Sequence, residues 1–219
     1  HTCVTVNSTV QDGGAGGEKR ALSDVYHILL HAGSCHDAFE NLGEPWCDRM
    51  VWDICPPPHC GGGSKIAGLV RNMFVFEYGG RGGLDPGERE LHLFSVLSPD
   101  WAKPGETVSI TDALTELGTL SAKLTFTADG ADIEIAGNFH TRPKRYVLRI
   151  PYFVKDVSFS TTGGKGILEN GWLRLTPDIS RVRLRWTVDP KADADTFGEI
   201  LLAYRREVGH WKGKIDEHP

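Results

Sequence analysis

Residues 31–60, HAGSCHDAFENLGEPWCDRMVWDICPPPHC, gather most of the side chains in this chain that could do chemistry. Three of the nine His, four of the five Cys and two of the six Trp fall there, with Asp37, Glu40, Glu44, Asp48 and Asp53 among them. No amphipathic period accounts for that concentration, so a site is expected in this stretch. Sugar hydrolysis needs a carboxyl group raised in pKa as acid and an ionised one as base or nucleophile, about 5 to 9 Å apart across the bond. Glu40, Asp48 and Asp37 are the candidates for those roles. Trp46 and Trp52 offer flat apolar faces with a polar edge on which a sugar ring can stack, and His36, Arg49 and His59 complete the substrate-binding set. The plainer use of the same residues is structural. Cys-rich loops are commonly pinned by disulfides, large aromatics are mostly buried, and Asp48 beside Arg49 can be an ion pair that orders the loop.

Metal chemistry is weighed on ligand spacing. Cys55 and Cys60 flank His59 without the C-x2-C spacing of zinc sites, and Pro56, Pro57 and Pro58 stiffen the chain between them, so a local disulfide or two unrelated thiols fits better than zinc. A different chemistry starts at His1. An N-terminal His can chelate copper through its amine and ring nitrogen, and with a second His it resembles the histidine brace of oxidative polysaccharide-cleaving enzymes. His36, His59, His92 or His140 could supply the second ligand, subject to geometry. The hydrolytic reading therefore takes no cofactor, and the alternative takes copper.

The rest of the chain has to position these groups. Its 219 residues suffice for one sizeable domain. A net charge of -5 and a pI near 6.0 argue against nucleic acid as the main partner, because counterion release needs a concentrated basic surface. No run of 18 apolar residues occurs, so no helical membrane span is expected. Five Cys leave one thiol over in an oxidising compartment, or all reduced in the cytosol. Asn7, Ser8 and Thr9 form a glycosylation sequon, a triplet that also occurs by chance in cytosolic proteins, so the compartment is left open, a secreted or periplasmic setting being favoured over the cytoplasm. A start at His1 instead of Met reads as a processed product or a fragment.

Along the chain, residues 1–17 read as an arm or linker, ending in a Gly-rich run. Leu22, Val25, Tyr26, Leu29 and Leu30 recur at helical spacing over 18–32, and Ile66, Leu69, Val70, Met73 and Phe74 do so over 64–76. Residues 18–78 thus form a helical and Cys/His-rich loop segment. The Gly- and Pro-rich run at 79–87 marks a boundary. Beyond it the period changes to two: Leu120, Ala122, Leu124 and Phe126 alternate with polar residues, Asp129-Gly130 supplies a tight turn, and Ile133 and Ile135 return. Further alternation at 146–150, 173–175 and 182–186, with a turn at Asn170-Gly171, gives several short strands that need a second layer. The fold expected is mainly β: an antiparallel β-sandwich over 88–187, preceded by the small helical and loop segment and followed by a C-terminal helix and tail at 188–219. Arg181, Arg183 and Arg185 share the outward face of one strand, as an anion-binding ladder or as charges that guard a sheet edge.

The motifs HAGSCH (31–36), FE (39–40), EPWCDR (44–49), PH (58–59) and LVRNMF (69–74) resemble the C-terminal third of large bacterial proteins related to glycoside hydrolases. Those proteins join an (α/α)6 toroid to a following β-sandwich. LHLFSVLSPDW (91–101), KPG (103–105) and YVLRIP (146–151) are similar to the start and middle of that sandwich, so the resemblance covers roughly residues 20 to 187. It implies that 18–76 are the last helices and loops of a toroid, that the sandwich is a support domain, and that the 31–60 loop lies at the rim of a sugar-binding cleft completed by the remainder of a larger enzyme. The expected partner is a carbohydrate, not nucleic acid or membrane. A copper-dependent oxidative enzyme using His1, and a stand-alone carbohydrate-binding module, are the alternatives.

Overall fold

The computed structural model describes residues 17–30, 60–79, 84–192 and 196–216. Helix α1 (Gly17–Leu30) and helix α2 (Cys60–Phe74) come first. Ten strands follow: β1 (Val75–Tyr78), β2 (Glu90–Leu93), β3 (Thr107–Thr115), β4 (Gly118–Thr127), β5 (Gly130–Phe139), β6 (Arg145–Arg149), β7 (Val154–Thr162), β8 (Gly166–Glu169), β9 (Trp172–Leu175) and β10 (Arg181–Val188). Helix α3 (Thr196–Asp216) closes the order. The strands make two five-stranded sheets, β1-β2-β6-β9-β8 and β3-β4-β5-β10-β7. Their inner faces share one buried cluster that includes Leu91, Leu93, Leu120, Leu124, Phe126, Ile133, Leu148, Leu173 and Leu184. The fold is therefore mainly β, a sandwich with helices before it and one after. Its pairs are antiparallel except β2 with β6, which run parallel.

Period-two alternation explains the longest hairpin. Leu120, Ala122, Leu124 and Phe126 are buried on β4 while Lys123 between them is exposed. The β4–β5 turn is made by Ala128 and Asp129, because Gly130 already pairs with Thr127. Gly130 is needed for another reason: a Cβ there would lie 1.9 Å from the backbone oxygen of Leu184 on the neighbouring β10. At the β8–β9 hairpin, Asn170 and Gly171 both have positive φ, 51° and 78°, the conformation favoured in two-residue hairpin loops.

Two features differ from what the sequence pattern predicts. The first sheet starts at Val75, before the glycine-rich stretch, because β1 pairs with β2 from the end of α2 onward. Four residues, VFEY, are too few to show a period, and they continue the apolar stripe of the helix. The arginine ladder is the second. β10 lies between β5 and β7, so it is no edge, and its outward arginines are matched across the strand: Arg181 with Glu134 at 3.1 Å, Arg183 with Asp132 at 2.7 Å, and Arg185 with Asp129. Each cation already has its anion, which leaves neither an anion ladder nor an edge guard.

The helices dock through a second cluster of Ala21, Leu22 and Val25 from α1, Leu69 and Met73 from α2, and Val96. Phe74 and Trp101 touch both clusters and join them. Tyr26 donates to Ser98 Oγ at 2.9 Å and packs edge-on against Phe197 of α3, ring centroids 5.1 Å apart. Helix α3 thus returns to the body mainly through α1. At the α2–β1 junction Arg71 donates to the carbonyls of Val75 and Leu114, a cation where the helix leaves its carbonyls open.

Candidate functional site

All the catalytic and substrate-binding residues expected from the sequence, Glu40, Asp48, Asp37, His36, Trp46, Arg49, Trp52 and His59, lie outside the described residues, as does His1. Of the alternative copper ligands, His140 is exposed at the end of β5 beside the Thr141 hydroxyl, 3.1 Å from its Nδ1. His92 is on β2, in the other sheet. Among the described residues no group of three or more His, Cys, Asp or Glu has a spacing that could hold a metal ion. Cys3, Cys35, Cys47 and Cys55 also lie outside the described residues, so the expected disulfide does too.

The described residues do build one surface of unusual composition, the outer face of the first sheet. Leu91 and Leu93 of β2, Tyr146 and Leu148 of β6, and Leu173 and Leu175 of β9 point into the core. Alternation therefore turns Glu90, His92, Arg145, Val147, Arg149, Trp172 and Arg174 outward. From β1 come Phe76 and Tyr78, opposite His92 and Glu90 in register.

These side chains make a row of rings. Tyr78 and His92 have centroids 5.5 Å apart, His92 and Trp172 5.8 Å, and Phe76 stands edge-on to His92 at 6.1 Å. His92 and Trp172 come from the strands that flank β6, on which Val147 is buried. Arg149 extends the row, its guanidinium 5.1 Å from the Trp172 ring centroid, a cation–π distance. Tyr78 is 48% exposed, and Trp172 is partly exposed.

Charge on this face is matched pair by pair. Arg145 Nε is 3.0 Å from Glu90 Oε1, and Arg174 Nη1 is 3.7 Å from Glu169 Oε2. Arg149 Nε is 2.5 Å from Glu18 Oε1, the carboxylate of the first turn of α1. The Tyr152 N–H donates to the other oxygen of Glu18 at 3.0 Å. Burial nevertheless pushes Glu18 up to about 7, outweighing Arg149 and the Tyr152 N–H, which both pull it down.

His92 sits at the centre. Burial pushes its imidazole below the ordinary value, with Arg174 acting in the same direction and Glu90 opposing both. Its Nε2 is buried, 3.5 Å from Glu90 Oε2, and has no hydrogen-bond partner among the described residues. An unmade bond of that kind costs about 1–3 kcal/mol, and the Glu90 carboxylate at 3.5 Å is the group placed to offset it. The face can stack flat rings and hydrogen-bond around them. Among the sequence-level signals, ELHL, RYVLR and WLRL each carry alternation with a ring or a charge on the outward side. Nothing in one dimension says that β2, β6 and β9 are neighbours, and that adjacency is what assembles the row.

No protein-family model matches this chain, and no curated protein matches it.

Proposed function

We propose that this chain is the C-terminal portion of a carbohydrate-active, glycoside-hydrolase-like protein whose sandwich is both the support and a sugar-contacting surface. The observation that supports this reading best is the row Tyr78, His92 and Trp172, turned outward on a sheet face instead of packed between the sheets. Partly exposed rings fixed on a sheet by their neighbours, tilted or edge-on to one another, offer apolar contact area at little entropic cost, with polar groups beside them to fix orientation. The 31–60 stretch carries the hydrolytic chemistry in this reading, with Glu40, Asp48 and Asp37 as the acid and base, and α1 and α2 join it to the sandwich.

Affinity electrophoresis through gels containing soluble polysaccharides tests the surface. Trp172→Ala and Tyr78→Ala are each expected to weaken retention by about three- to tenfold, the scale of one lost ring contact. Retention unchanged in both, with folding intact by circular dichroism, rejects the surface. In the longest natural form of the protein, Glu40→Gln and Asp48→Asn are expected to abolish turnover of a glycan, and full activity in both rejects the hydrolytic site.

A further inference from the structure

We infer that the outer face of the first sheet takes uncharged glycans and discriminates against polyuronates and other polyanions. This rests on the sugar-contacting reading above and adds the class of sugar.

The argument is the state of the three guanidiniums. A protein that recognises a uronate holds a free Arg or Lys for its carboxylate, and Arg is preferred because its fork meets both oxygens. Here Arg145 faces Glu90, Arg149 faces Glu18 and Arg174 faces Glu169. Three cations meet three anions across the face. A sugar carboxylate arriving here has to displace a resident one or lie beside it, and like charges about 4 Å apart repel by about 1 kcal/mol even in bulk water. The chain's net charge of -5 adds to that repulsion.

Hydroxyl groups meet no such conflict, because each both donates and accepts. Arg174 is held at 3.7 Å through one Nη, which leaves N–H donors for a sugar oxygen, and Glu169 is 65% exposed and accepts from sugar hydroxyls. Tyr78 and Trp172 stack on the C–H faces that neutral pyranoses present. Ile167 on the far edge strand, 67% exposed, extends the apolar floor.

The test uses the whole chain in affinity gels containing galactomannan or mixed-linkage glucan, and in gels containing polygalacturonate or alginate, each at about 0.02 and 0.3 M NaCl. Retention by a neutral polymer that changes less than twofold with salt, with none by the acidic polymers, is the expected result. Glu169→Gln, on an exposed edge strand, and Glu90→Gln with Glu169→Gln are expected to gain retention by polygalacturonate that falls tenfold or more at the higher salt. Wild-type retention by the acidic polymers alone overturns the class and leaves the sugar face standing. Retention by none of the polymers removes the underlying reading as well. Self-association of the free chain that Tyr78→Ala with Trp172→Ala abolishes assigns the face to a second copy and overturns the inference.

Discussion

Glu18 in the first turn of α1 and Arg149 at the end of β6 are an ion pair at 2.5 Å, their side chains only 3% and 11% exposed. The same guanidinium lies over the Trp172 ring. One arginine thus ties the helix that precedes the 31–59 stretch to the ring row on the sheet. Removing Glu18 leaves the Arg149 guanidinium buried without its counter-charge, the situation that makes half a buried pair more damaging than none.

The pH dependence of stability follows from Glu18. Its pKa is raised in the folded chain, from 4.5 to about 7, so the folded state binds the proton that the unfolded state releases. The stability this gives is fully present below about pH 4.5 and is lost as pH rises through 7. In urea titrations, wild type is expected to lose on the order of 2–3 kcal/mol relative to Glu18→Gln between pH 5 and 8. Parallel pH profiles for the two proteins would contradict it.

Arg89 should be among the least replaceable charged residues of the sandwich. It is buried, it pairs with Glu77 at 2.8 Å and with Glu116, and its Nε donates to the Leu84 carbonyl at 3.1 Å. Glu77 in turn accepts the Glu116 N–H at 2.8 Å, which links β1 to the β3–β4 turn. Arg89→Met is expected to lower Tm clearly more than Glu116→Gln, because it strands the Glu77 carboxylate, and Arg89→Lys should fall between them. Calorimetry orders the three.

The ladder of Arg181, Arg183 and Arg185 should behave in the opposite way. Its pairs are open to solvent, where Coulomb attraction is offset by side-chain ordering and screened by salt. Arg183→Ala, and even the triple replacement, is expected to leave the Tm of the sandwich nearly unchanged at moderate salt. A large drop would show that the ladder sets the β5–β10 register.

Two glycines separate backbone crowding from backbone conformation. Gly130→Ala is expected to destabilise by about 1–3 kcal/mol or more, because its Cβ has to displace the Leu184 carbonyl on β10. Gly171→Ala has open space around it and carries only the left-handed penalty at φ 78°, about 1 kcal/mol. Equal losses in denaturant titrations would overturn that distinction.

The sequence was informative where one strand or one hairpin carries its own signal. The β4–β5 alternation and the Asn170-Gly171 turn are local patterns, and both appear as expected. What it could not supply is the order of strands. The parallel β2–β6 pair joins residues 55 positions apart, with β3, β4 and β5 built between them. Without that adjacency, His92 and Trp172 are two unrelated aromatic positions, and the arginines of β10 look like edge residues because their carboxylates lie on β5 and in the β4–β5 turn, far away in sequence. The candidate residues of the 31–60 loop stood out by type alone, and they lie outside the described part of the chain.

Phe74 ends α2 and Val75 begins β1, so no residue is spare between them, and Arg71 clamps the point where they meet. A rod with no joint carries motion from end to end. A displacement imposed at Cys60, about 21 Å from Phe74 along the axis of the helix, is carried into the strand bearing Tyr78 instead of being absorbed on the way.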